Sequence, residues 1–130
     1  MGCCFYTIRI TFGSCKTGFL RGTMKRIGIV LKVRKDKIEE YKKAHENIWP
    51  EMKEALSRTG WHNYSLFLRD DGLLFGYFET PVDFSTALKG MEKESINENW
   101  QAAMAPYFEA LGGKRADESM LELEEVFHID

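Results

Sequence analysis

Trp61-His-Asn-Tyr-Ser-Leu-Phe-Leu-Arg-Asp70-Asp-Gly-Leu-Leu-Phe-Gly-Tyr-Phe-Glu-Thr80 reads as two strands around a tight turn. Asp-Gly at positions 71 and 72 supplies the positive φ that short hairpins need, so Asp70-Asp71-Gly72 is the turn. Before it, Trp61 to Leu68 alternates, with His62, Tyr64, Leu66 and Leu68 on one face and Asn63 on the other. After it, Leu73 to Glu79 returns, and Thr80-Pro81 stops the run. What flanks this hairpin settles the fold class.

Upstream, Ile27, Ile29, Leu31 and Val33 alternate with Gly28, Val30 and Lys32, the period of a strand. The period then changes. Ile38, Tyr41, His45, Ile48, Met52, Ala55 and Leu56 recur at three- and four-residue steps, with Lys42, Lys43 and Glu46 on the wet side of a helix. Asp36 is the expected N-cap, and Glu39 completes a capping box with it. Pro50 removes a backbone donor, which predicts a kink or restart at Asn47–Pro50, and Gly60 suits a left-handed C-cap.

Downstream, a second helical region spans about 83–111, in two pieces around Gly90 and with a further break near Pro106. Its stripe includes Ile96, Trp100, Ala103, Met104, Tyr107, Phe108 and Leu111. Leu121 to Ile129 reads as a last strand. The order β-α-β-β-α-β predicts an α+β, ferredoxin-like domain with its helices on one face of a four-stranded antiparallel sheet. Apolar side chains on the other face need cover, and pairing two sheets across a two-fold axis supplies it, so a homodimer is expected.

At 130 residues, with 44% hydrophobic and 29% charged residues, the chain is an ordinary single domain. A net charge of -2 gives no footprint for nucleic acid or acidic membranes, and no apolar run approaches the roughly 20 residues of a bilayer span. Residues 1–23 differ from the rest: they hold Arg9, Lys16 and Arg21, no acid, and all three cysteines, Cys3, Cys4 and Cys15. Three readings remain open for this segment. Met1-Gly2-Cys3-Cys4 hints at acylation, although Tyr6 stands where myristoylation wants Ser or Thr. An acid-free, Arg-containing start resembles a short transit peptide. The plain reading is an optional leader before an alternative start at Met24, leaving 24–130 as the domain. That domain has no cysteine, which fits a reducing, cytoplasmic compartment.

The candidate chemistry starts from Tyr41 and His45, one helical turn apart and on the same face. Histidine exchanges protons near neutrality, but on a buried helix face it is more often a satisfied core residue; the tyrosine beside it favours function. Tyr64 and His62 on their strand are packing residues by default. Trp49 and Trp100 stack on a sugar ring or fill the core, and frequency favours the core. His128 reads as a solvated edge residue. In the ferredoxin-like order the second and fourth strands form opposite edges, so His62 and His128 cannot join His45 around one zinc ion. There is no HExxH, CxxC, Walker loop or GxGxxG. The expected site holds neither metal nor cofactor.

Three segments together resemble a known family: Tyr41-x-x-x-His45-x-Asn47-Ile48-Trp49-Pro50-Glu51, then Gly60-x-His62-Asn63-Tyr64, then Glu124-Glu125-Val126-Phe127. Over 24–130 the sequence is similar to the L-rhamnose mutarotases. The resemblance implies a dimeric α/β-barrel form of the ferredoxin-like fold and interconversion of the α and β anomers of L-rhamnose without cofactor or metal. It implies His45 as the catalytic proton donor, with Tyr41 and Tyr64 binding the sugar. The family tends to place two adjacent tryptophans in the second helical region; the matching residues here are Trp100 and Gln101, so one aromatic wall is an amide. Trp49, Ile48 or Trp100 would meet the methyl group of rhamnose. The second acid/base group stays open between Tyr64, Tyr41 and an ordered water. Two rivals share the fold: a haem-degrading or quinol-type monooxygenase, disfavoured because no histidine lies between His62 and His128, and a non-enzymatic small-molecule-binding dimer.

Overall fold

A computed structural model describes residues 24–109 and 114–130; the expectations for residues 1–23 and for Leu111 lie outside them. Strand β1 (Lys25–Lys32) buries Ile27, Ile29 and Leu31 on one side, as the alternation predicts. It lies in the middle of the sheet β2-β3-β1-β4, built from β2 (His62–Leu68), β3 (Leu73–Thr80) and β4 (Leu121–Leu123), with every recorded pair antiparallel. Helices α1 (Ile38–Glu46), α2 (Pro50–Arg58), α3 (Phe84–Glu92) and α4 (Ser95–Met104) complete the β-α-β-β-α-β order, each α being a helix pair. The α+β, ferredoxin-like expectation holds. Among the described residues no helix is long and apolar enough to cross a membrane.

Local chemistry explains the joints. Pro50 opens α2 as its first residue, where its missing N–H costs nothing, so the predicted interruption is a restart. Gly60 follows α2 at φ +94°, the left-handed stop expected there. In the hairpin, Gly72 has φ +101° and packs so closely on the Val33 carbonyl that any Cβ would collide with that oxygen. The Asp71 carboxylate accepts the Leu73 N–H at 3.2 Å and takes both arms of the Arg69 guanidinium, which holds its pKa well below the usual range.

Four expectations are corrected. Asp36 caps no helix: it sits in a 3-10 turn (Lys35–Lys37), takes the Arg34 guanidinium at 3.1 Å, and leaves α1 without a side-chain cap. The second helical region breaks at Lys93–Glu94, not at Gly90. Gly90 lies inside α3, where its missing side chain lets Thr59 approach: a Cβ there would be 3.0 Å from the Thr59 Cβ. The helical stripe ends at Met104, because Pro106 turns the chain into a 3-10 turn and Phe108 instead bridges to Val33. Finally, β4 stops at Leu123 rather than Ile129. Beyond it the exposed chain runs without a ladder partner among the described residues, tied to β1 by the Arg26–Glu125 ion pair at 2.9 Å.

A fifth correction concerns β2. The register slips by one residue between His62 and Ser65, a bulge centred on Asn63, whose φ is +50°. A one-residue slip moves a side chain to the other face. His62 pairs with Glu79 on the face away from the helices, while Tyr64 packs against Phe78 beneath them. The two do not share a face. His62 therefore points away from His45, and His128 meets Asp130 at 2.9 Å on the exposed edge, as a solvated residue would.

Candidate active site

Between the helices and the sheet lies a cavity of about 290 Å³, near the lower limit for small-molecule pockets. Helix α1 brings Tyr41 and His45 to it, the α1–α2 joint brings Ile48, β2 brings Tyr64, and α4 brings Trp100 and Gln101. Five of the six candidate residues thus meet in one place. Trp49 does not line the cavity. Its ring lies edge-to-face with that of Trp100, centroids 5.1 Å apart, and its backbone carbonyl accepts the Met52 and Lys53 N–H groups at the start of α2, which fixes it at the joint.

The ring of His45 lies 4.2 Å from that of Tyr41 and 5.4 Å from Trp100, the latter edge-to-face. Its Nδ1 is 3.0 Å from the Tyr41 carbonyl oxygen. A carbonyl only accepts, so Nδ1 carries the proton, and in the neutral ring Nε2 keeps the lone pair. Burial pulls the His45 pKa below its ordinary value, and the bond to Tyr41 offsets this only in part. Near neutrality His45 is an oriented base.

Tyr41 and Tyr64 are both held well above the ordinary tyrosine pKa by burial, and for Tyr41 the nearby Tyr64 adds to the effect. Both remain neutral phenols. Every fully buried side-chain N or O atom among the described residues has a hydrogen-bond partner. Tyr41 and Tyr64 both line the cavity, and their hydroxyls have no hydrogen-bond partner among the described residues. Trp61 supports Tyr64: it stacks on Phe78 at 4.0 Å, donates its indole N–H to the Ala87 carbonyl at 3.2 Å, and holds its ring 5.2 Å from Tyr64.

Sequence reasoning missed two polar wall residues. Asn97 and Asp117 line the same cavity as Gln101 and are buried with it, at 1%, 6% and 7% exposure respectively. Asn97 had a signal available, since it stands one turn before Gln101 on the same helical face. Asp117 had none, because its 3-10 turn (Ala116–Ser119) reaches α4 only through the tertiary fold.

Fold and site together define a ferredoxin-like α+β domain whose helix-covered face encloses a small-molecule pocket with one histidine base and two neutral phenols. Comparison with known proteins narrows this class. The profile of the family described as L-rhamnose mutarotase matches residues 26–129. The L-rhamnose mutarotase of Oceanobacillus iheyensis is 40% identical over 110 residues, covering 82% of this chain and all of that protein. The Bacillus subtilis L-rhamnose mutarotase is 38% identical with the same coverage. A crystal structure of an L-rhamnose mutarotase from Formosa agariphila superposes with a TM-score of 0.67 at 25% identity, over 82% of this chain and 99% of that one. The chain belongs to the L-rhamnose mutarotase family, whose name denotes carbohydrate isomerases that exchange sugar anomers.

Proposed function

We propose that this protein interconverts the α and β anomers of L-rhamnose, or of a closely related sugar, by acid/base-catalysed opening and closure of the pyranose ring. The observation that carries the reading is the 3.0 Å contact from His45 Nδ1 to the Tyr41 carbonyl, which leaves Nε2 as the basic nitrogen of a residue on the pocket wall. Nε2 takes the proton of the anomeric hydroxyl. A proton reaches the ring oxygen from a phenol or a water, and the bond from that oxygen to the anomeric carbon breaks. The open-chain aldehyde turns about its C1–C2 bond, and the freed hydroxyl recloses on its other face, giving its proton back to the phenolate or hydroxide. The imidazolium then returns its proton to the new anomeric hydroxyl, so His45 is also the donor of the second half-reaction.

One such group contributes about 10²–10⁴ in rate, enough for a reaction that already runs unaided in water. Tyr41 and Tyr64 bind and orient the sugar hydroxyls. Ile48 and Trp100 offer apolar contact to its methyl group; such discrimination is worth about 1–3 kcal/mol, so related sugars are expected to turn over too. Phe67, Phe75, Leu121 and Leu123 are exposed on the opposite face of the sheet. A second copy pairing its own such face there would form a homodimer. Residues 24–130 would suffice for activity, in the cytoplasm, and a truncation lacking residues 1–23 is expected to keep full turnover.

Proton NMR exchange between the anomeric signals of L-rhamnose tests the reaction. The wild type should accelerate exchange, and His45→Ala should fall by about 10²–10⁴ toward the buffer rate while keeping its circular dichroism spectrum. A folded His45→Ala variant as active as wild type would remove His45 from the mechanism.

A further inference from the structure

The cavity has a second polar wall that the proton-transfer chemistry does not use. On α4, Gln101 donates from Nε2 to Asn97 Oδ1 at 3.1 Å, and its Oε1 accepts the backbone N–H of Asp117 at 3.2 Å. Asn97 donates from Nδ2 to Asp117 Oδ2 at 3.0 Å. Arg115 completes the group by donating to both oxygens of Asp117, at 3.0 and 2.8 Å. A carboxylate nearly sealed from water is costly unless every lone pair is used, so its place on a pocket wall needs a reason.

A count of donors and acceptors supplies one. Each primary amide has two N–H groups, and Asn97 and Gln101 each spend one inside the cluster. A carboxylate has about four acceptor positions, and among the described residues Arg115 and Asn97 fill three of them on Asp117, leaving one on Oδ1. The cluster thus keeps amide donors and one anionic acceptor in hand. A hydroxyl both accepts and donates, and it satisfies such a set. An apolar group would leave it unsatisfied; a water satisfies it in the empty pocket, and a sugar hydroxyl offers the same donor and acceptor when it takes that place.

We infer that Asp117, positioned by Gln101 and Arg115 and assisted by the free N–H of Asn97, is a specificity-determining residue that reads one non-anomeric hydroxyl of the sugar. This rests on the mutarotase reading of the same pocket and deepens it. A charge-assisted hydrogen bond of this kind strengthens ground-state and transition-state binding alike, so its loss belongs in KM more than in kcat.

The test uses the full chain and its Asp117→Asn variant, with anomeric exchange measured on L-rhamnose and on three analogues lacking the hydroxyl at C2, C3 or C4. Wild type should discriminate strongly against one analogue. In Asp117→Asn, kcat/KM for L-rhamnose should fall by about 10- to 100-fold, mainly through KM, while that one analogue changes little, so their ratio collapses. A ratio of two sugars on one preparation does not depend on the fraction of folded enzyme. If Asp117→Asn is insoluble, Asn97→Ala is measured in the same way. A variant that lowers all four sugars by one common factor would overturn the inference and make the cluster a brace between α4 and its neighbouring turn. A wild type that exchanges none of the sugars would overturn the mutarotase reading itself, and the inference with it.

Discussion

Strand β3 separates two surfaces that began as the same kind of sequence. Leu74, Gly76 and Phe78 face the helices, while Phe75, Tyr77 and Glu79 face away. Phe78 is 0% exposed and Phe75 37%, and around Phe75 the side chains of Phe67 and Leu121 reach 59% and 67%. Polar groups divide the same way. On the open face Tyr77 donates to Glu79 at 2.7 Å, Asn63 donates to the same carboxylate, and Arg26 pairs with Glu125, so the polar groups there are largely spent on one another. Beneath the helices His45 Nε2 and two phenol hydroxyls have no partner among the described residues, and burial has shifted their proton affinities. Apolar alternation therefore builds both faces; polar atoms without a partner among the described residues mark the one proposed for chemistry, and exposed apolar side chains the one proposed for a second copy.

The largest effect expected from this contrast is on the acid side of the activity profile. His45 has a pKa below its ordinary 6.5, so it is neutral above that value and becomes protonated as pH falls through its lowered pKa. An imidazolium has no lone pair for the anomeric proton. Turnover should therefore be level near neutrality and fall about tenfold per pH unit below the pKa, with a midpoint under 6.5. An acid limb centred above 6.5 would mean that a charged partner stabilises the imidazolium more than burial opposes it. Sedimentation measured over the same range should not track the activity, since His45 is absent from the open face.

A pair of substitutions on one strand sharpens the contrast further. Phe78→Ala removes a fully buried ring that touches Trp61, Tyr64 and Phe84, and should cost about 3–5 kcal/mol at any protein concentration. Phe75→Glu should leave the fold intact and instead turn a dimer into a monomer in analytical ultracentrifugation. A monomeric wild type, or a Phe75→Glu protein that still dimerises, would refute the assignment of the open face to a second copy.

Much of this arrangement is legible in the chain because local rules act alone there. The alternation of Ile27, Ile29 and Leu31, the restart at Pro50 and the Asp-Gly hairpin each follow from backbone sterics or burial period, and the structure keeps them. The one-turn spacing of Tyr41 and His45 likewise places both on one wall. The losses come where two distant segments must agree. A bulge at Asn63 reverses His62, and the only local hint is that asparagine tolerates positive φ better than most residues. Gly90 reads as a helix breaker until Thr59 is seen against it. Asp117 joins Asn97 across a separation of 20 residues that no periodicity spans.

The smallest expected effect tests the contrast with one methyl group. Gly76 and Gly28 occupy adjacent strands but opposite faces. At Gly76 a Cβ would lie 2.9 Å from Ile29 Cγ1 and 3.1 Å from Leu66 Cδ2, and Ile29 is itself packed without free space. Gly76→Ala should thus overpack the helix side and cost about 1–3 kcal/mol in denaturant titrations. At Gly28 the nearest atoms are Phe75 Cε1 at 3.4 Å and Leu123 Cβ at 3.8 Å, ordinary contacts. Strand glycine carries a backbone-entropy cost that alanine relieves, so Gly28→Ala should change the stability of the monomeric Phe75→Glu chain by no more than about 0.5 kcal/mol. In the Phe75-containing protein the same methyl group would project toward the proposed second copy, and any weakening should be confined to association. Equal losses for both alanines in the monomeric background would mean that the open face is packed from within one chain, and the division of labour between the faces would fall.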